Sequence, residues 1–178
     1  QNWPEILRQE GAVDAAKRRN LLLERQVRVW RERPPAHPII AAGSTGSIPA
    51  SADLFATIAE LPKGLVVLPG LDTHADERQW REISGDPAHP QFGLAQLLAR
   101  LGTAPAKVWA WPHDLPEGPR RSAPPSRAHI VGGALLPAEA TKDWPVVAAK
   151  LRESADIAWH DVQRIDCRTE QEEAGIIA

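Results

Sequence analysis

"PIIAAGSTGSIPASADLFATIAELPKGLVVLPGLD", residues 38–72, is the stretch on which the reading of the fold turns. Its two apolar runs, "PIIAA" and "LVVLPG", show no polar alternation. Such runs predict strands buried on both faces, as in a parallel sheet. Between them Leu54, Phe55, Ile58 and Leu61 line one face of a helix predicted over residues 49–61. Pro49 suits its first turn, and Pro62 and Gly64 stop it. Strand, helix and strand within about 30 residues make a βαβ unit with a right-handed crossover. The expected fold class is α/β, a parallel sheet with helices on both faces.

The first strand runs into a small, hydroxyl-rich loop of Gly43, Ser44, Thr45, Gly46 and Ser47. A loop between a strand and a helix can cradle a phosphate on backbone N–H groups. This one has no Walker A lysine, and no G-x-x-x-x-G-K-[ST] pattern occurs in the chain. It also lacks the three-glycine spacing of a dinucleotide fingerprint. The first strand ends in Ala41-Ala42, so no carboxylate stands there to hold Mg²⁺. A tight turn is the simpler reading, with a phosphate site as its rival.

Outward from this unit, "DAAKRRNLLLERQVRVWRER" predicts a helix over residues 14–33, with Ala16, Leu23, Val27 and Trp30 on one stripe. "HPQFGLAQLLARLG" predicts another, with Leu94, Leu97, Leu98 and Leu101 in register and Gly102 as its stop. "KVWAW", residues 107–111, reads as a third strand. Residues 112–126 are proline-rich and polar, a loop or linker. Beyond it come a helix after Pro145, a strand in "HDVQRIDC" at residues 160–167, and a last helix from "EQEEAGIIA". This divides the chain into a core at residues 1–111, a linker at 112–126, and the start of a second subdomain at 127–178.

The 178 residues, 43% of them apolar, can build a real core. A formal charge of −2 gives no global pull toward nucleic acid or membrane. No run of about 18 apolar residues occurs, so no spanning helix is expected. No secretory leader is recognisable, and the expected compartment is the reducing cytoplasm. The lone Cys167 excludes an intrachain disulfide and any multi-cysteine metal site. Met and Tyr are absent while Trp occurs seven times, and the chain starts without Met. The expectation is a piece of a longer polypeptide.

The remaining chemistry is sparse. Asp72, past the second strand, reads as a turn or cap residue. The six histidines show no ligand spacing and read as scattered surface or loop residues. Cys167 reads as an inert thiol, and no G-x-S-x-G elbow is present. Two basic clusters, Lys17-Arg18-Arg19 and Arg120-Arg121 with Arg127, are candidate contacts for DNA phosphates or a partner, against the blander reading of solvated faces. No catalytic residue and no metal ligand is assigned.

"WPEILRQEGAVDAAKRRNLLLE", the stretch at residues 38–72, "HPQFGLAQLLARLG" and "EQEEAGIIA" together resemble, in order, the alphaproteobacterial AddB family. That family is the second subunit of the AddAB helicase–nuclease, an exodeoxyribonuclease that processes DNA double-strand breaks for recombinational repair. The resemblance implies a superfamily 1 helicase-like, P-loop-type fold that has lost its motor. "PIIAAGSTG" then stands where an active helicase has its Walker B strand, with Ala41-Ala42 in place of the metal-holding acids. The loop becomes a relic that can still touch phosphate. By the same resemblance this stretch holds no cofactor. ATP and Mg²⁺ belong to the AddA-type motor partner, and a metal and an iron–sulfur cluster to a nuclease domain far downstream. DNA is the implied ligand, and no motif for reading a Chi-type sequence can be matched here.

Overall fold

The computed structural model describes residues 2–110, 124–140, 144–160 and 162–177. A short helix α1 (Trp3–Gln9) precedes α2 (Ala15–Glu32), whose N-terminus is capped by Asp14 accepting from the Lys17 amide at 2.9 Å. Pro34-Pro35 follow, and the chain enters strand β1 (Ile39–Ala42). The crossover helix α3 (Pro49–Glu60) has Pro at its first position and returns the chain to β2 (Gly64–Val67). β1 and β2 pair in parallel, with Ile39 opposite Gly64 and Ala42 opposite Val67. The βαβ unit is therefore present, within a mixed α/β chain that is mostly helical.

α3 is the middle layer. It packs against α2 on one side and against both strands and α5 on the others. Ala50, Ala52, Thr57 and Ile58 are its buried residues. From α2 the contributing stripe is Asn20, Leu23, Val27 and Trp30, at helical spacing. Ala16 is exposed, so the stripe begins one turn later than its apolar pattern suggests. Asn20 occupies that turn, and its Oδ1 is buried without a hydrogen-bond partner.

The sheet departs from expectation. Ile39, Ala41 and Gly64 are each followed by a more exposed residue, while Val66 and Val67 are both half-buried. Ile40 and Leu65, directly paired, keep 61% and 43% of their surface exposed. One face is covered and the other is only partly so, with Val67 half-buried on it, rather than both being buried. Nor do residues 107–111 supply a third strand. Lys107 closes a 3₁₀ turn (Pro105–Lys107), and Val108 to Ala110 run irregularly, with Trp109 92% exposed. Trp111 lies outside the described residues, as do positions 112–123 of the expected linker. Residues 162–167 are likewise irregular where their sequence predicts a strand.

Two further packed groups complete the fold. α4 (Glu77–Gly85) begins with a capping box between Asp76 and Gln79, and its Trp80 and Ile83 pack on Ala95 of α5 (Phe92–Arg100). Gly102, in the left-handed region at φ +64°, ends α5 as its sequence predicts. Helices α6 (Pro125–Ala134), α7 (Trp144–Glu153) and α8 (Ala155–Trp159) pack on one another around Leu151 and Ala158. The exposed acidic helix α9 (Glu170–Ile177) comes last. Among the described residues no helix is long and apolar enough to cross a membrane.

The tightest joint in the βαβ unit is where α3 meets β2. A Cβ on Gly64 would overlap the Ile58 carbonyl oxygen and press on Leu61 Cβ. Backbone cannot swing aside as a side chain can. Gly64→Ala is therefore expected to cost about 3 kcal/mol, as overpacking of a rigid site does. Urea denaturation followed by circular dichroism measures it, and a loss below about 0.5 kcal/mol would contradict this packing.

Candidate functional site

The C-terminal ends of β1 and β2 carry the two loops that could meet a ligand, as in other open α/β sheets. At the end of β1, Gly43 and Gly46 hold φ +77° and +63°, which only glycine adopts without strain. The Gly46 amide donates to Ser44 Oγ at 3.3 Å, closing a small turn. A Cβ on Gly46 would press on Leu97 Cδ1 at 3.0 Å, so Gly46 is also the contact point between loop and α5. Gly43, Ser44, Thr45 and Ser47 are exposed. The loop lies at the end of its strand and leads directly into α3.

Its electrostatics are weaker than a phosphate-binding helix start requires. Pro49 has no N–H, and the Ser51 amide already donates to the Ile48 carbonyl at 2.9 Å. Ala50, the intervening residue, is buried. Any hold on an anion therefore falls to the exposed loop rather than to the first turn of α3. Beside the loop a groove of about 380 Å³ runs along Gly46, Ser47, Gln96 and Arg100. Arg100 Nε donates to Asp53 Oδ1 at 2.7 Å, and its Nη2 reaches the same oxygen. The guanidinium thus flanks the loop with much of its charge offset. Nothing in the local sequence marks Arg100, since α5 and the crossover bring it there.

At the end of β2, Asp72 is a turn residue. Its Oδ1 accepts from the amides of His74 at 2.9 Å and Ala75 at 3.2 Å. Gln91 braces the same loop: its Nε2 donates to the Gly70 carbonyl at 2.9 Å, and its Oε1 accepts from the Asp72 amide at 3.2 Å. The histidines are not all scattered surface groups. His74 and His129 meet edge to face with ring centroids 5.1 Å apart. His89 is 9% exposed and hydrogen-bonded at both ring nitrogens. Even so, no group of three or more His, Cys, Asp or Glu among the described residues could hold a metal ion. A cleft of about 690 Å³, lined by Trp80, Arg81 and Pro105, lies away from the 43–47 loop.

The basic candidates separate. Lys17, Arg18 and Arg19 are exposed on α2. Arg25 and Arg28 extend Lys17 and Arg18 along the outer face of that helix, with the half-exposed Leu21, Leu22 and Val29 between them. Arg127 is half-buried, its Nε donating to the Ala158 carbonyl at 2.7 Å, which ties α6 to α8. Arg120 and Arg121 lie outside the described residues. α2 packs on α3 while α6 packs on α7 and α8, so Arg127 does not join the α2 patch. Cys167 is a free, partly buried thiol.

No protein-family model, curated protein or solved structure matches the chain.

The loop lacks the lysine that would reach a β- or γ-phosphate and the carboxylate that would hold Mg²⁺. Titration of the protein with Mg·ATP is expected to give no binding heat up to millimolar nucleotide and no phosphate release. Saturable binding that is lost in Thr45→Glu would restore the loop as a nucleotide site.

Proposed function

We propose that this chain is a non-catalytic module of the AddB kind. It is an inactivated, superfamily 1 helicase-like stretch that scaffolds an AddA-type motor subunit and guides DNA in double-strand break processing. One observation carries the reading. The chain has a parallel βαβ unit of the kind from which nucleotide-binding folds are built, while its strand end has Ala41-Ala42 and its loop has no lysine. Form without the reactive groups is what a motorless helicase relative requires. The exposed row of Lys17, Arg18, Arg25 and Arg28 supplies a second, electrostatic support. Phosphate contacts by such side chains add affinity without sequence choice.

A second reading, a protein-interaction module without DNA contact, draws on the apolar groups left open. Ile40 and Leu65 on the sheet and Leu21, Leu22 and Val29 on α2 are a large apolar exposure for so small a chain. In the first reading a motor subunit or the rest of a longer polypeptide covers part of this surface.

Salt separates the two. Binding of a labelled single-stranded oligonucleotide is expected to weaken linearly in log–log form with added salt. Arg18→Glu with Arg25→Glu is expected to lower that slope by about 1.4, from about 0.7 for each phosphate that is no longer neutralised. Absent or salt-independent binding would leave the interaction-module reading in possession.

A further inference from the structure

We propose that α9 of one copy of this chain docks antiparallel on the outer face of α2 of a second copy. The inference stands apart from the DNA reading and rests on two exposed helices that do not pack on each other within the chain. Every residue of α9 (Glu170–Ile177) is exposed, and no other described element packs closely against it. A free helix of so few turns is marginal in water, so a surface that receives it matters to its stability. Its acids stand at the N-terminal end, and Ile176 and Ile177, 49% and 78% exposed, stand at the other.

The outer face of α2 carries the matching pattern. Leu21, Arg25 and Arg28 form one exposed row at i, i+4 and i+7. On α9, Glu170, Glu173 and Ile177 form one at i, i+3 and i+7. The two spacings are mirror images. Laid antiparallel, Glu170 meets Arg28, Glu173 meets Arg25, and Ile177 meets Leu21. Both rows run about 10 Å at 1.5 Å per residue, so the three pairs stay in step. Leu22 beside Leu21 and Ile176 beside Ile177 widen the apolar end.

The charges on both rows are available. Among the described residues no ion pair engages Arg25, Arg28, Glu170 or Glu173. Glu172 is committed elsewhere, its Oε2 accepting the Arg168 amide at 2.8 Å. Glu24 and Glu32 are the acids of α2, and Lys17, Arg18, Arg19, Arg25, Arg28 and Arg31 outweigh them. α9 has acids and no base. Each exposed ion pair contributes little alone. Burial of Ile177 and Ile176 against Leu21 and Leu22 adds the apolar part. Two copies that exchange α9 make the contact twice and close as a twofold dimer.

Sedimentation equilibrium of the whole chain tests this. A dimer is expected by about 500 µM protein in low salt, weakening as salt screens the exposed pairs. Arg25→Glu and Glu173→Arg each set like charges at both contacts, and each is expected to raise the dissociation constant about tenfold. An equal mixture of the two variants pairs Glu with Arg at both contacts. It is expected to return to within about threefold of the parent affinity. A chain that docked its own α9 would gain nothing from mixing and would be restored only by the double variant. Rescue confined to the double variant therefore overturns the proposal. So does a parent protein that stays monomeric at that concentration, or a dimer that both single variants leave equally tight. If either variant fails to fold, Arg28→Glu with Glu170→Arg must give the same pattern, and a mixture without rescue overturns the docking.

Discussion

The contact between Gly64 and the Ile58 carbonyl sets the geometry on which the rest depends. α3 must end, turn through Pro62 and Lys63, and deliver β2 alongside β1 within a few residues. That is possible only because the first residue of β2 has no side chain to push the helix away. Lys63 fastens the joint from the other side: its carbonyl accepts the Ile39 amide at 3.0 Å and its Nζ reaches the Ala36 carbonyl at 2.9 Å. With β2 in register, Ile39, Ala41 and Val66 face α3, and α3 in turn gives α2 and α5 a surface to pack on. Full burial of each large apolar side chain in this stack, such as Ile58 or Leu97, is worth about 1.5–3 kcal/mol.

The same geometry leaves the far side of the sheet unfinished. Among the described residues the sheet has only these two strands, and Ile40 and Leu65 on its far face stay exposed. Parallel sheets are ordinarily covered on both faces, and two strands alone are a marginal unit. The unbroken apolar character of "PIIAA" and "LVVLPG" therefore matches a more enclosed environment than the one α3 provides. Trp109, beside Leu65, Val66 and Val67 in a groove of about 380 Å³, has the same excess of exposure. An enclosing partner, whether further chain or another subunit, accords with the proposed scaffolding role.

The βαβ unit, α2, α3, α5 and the Gly102 stop were legible because each rests on local chemistry: caps, periodicity and a glycine in the left-handed region. The strands expected in "KVWAW" and "HDVQRIDC" failed for a nonlocal reason. A strand exists only when a neighbouring edge accepts its hydrogen bonds. The Lys107 and Val108 amides instead close turns to Ala104 and Pro105, and the Val162 amide turns back to Trp159. Propensity cannot report that choice. The site shows the same division. The exposed 43–47 loop and its place before α3 could be read from sequence. Arg100 beside it, Gln91 bracing Asp72, and the histidines meeting across α6 come from elements 19 to 55 residues apart.

These placements bear on what a loop without its reactive groups can still do. A catalytic phosphate loop concentrates charge on one γ-phosphate through a lysine, a metal ion and a helix start. Here the lysine and metal-holding acid are missing, Pro49 and the Ser51–Ile48 bond use up the helix start, and Arg100 is paired with Asp53. What remains is two glycines that keep the backbone low and a row of small hydroxyls that do not obstruct a passing strand. In the proposed reading, such a surface suits brief contact with a backbone phosphate whose affinity is supplied elsewhere, as by the arginines of α2. Tight binding at the loop would hinder a guide, since a strand that must move past it cannot be held there. Weak local contact and distributed charge are together the condition for guiding DNA rather than capturing a nucleotide.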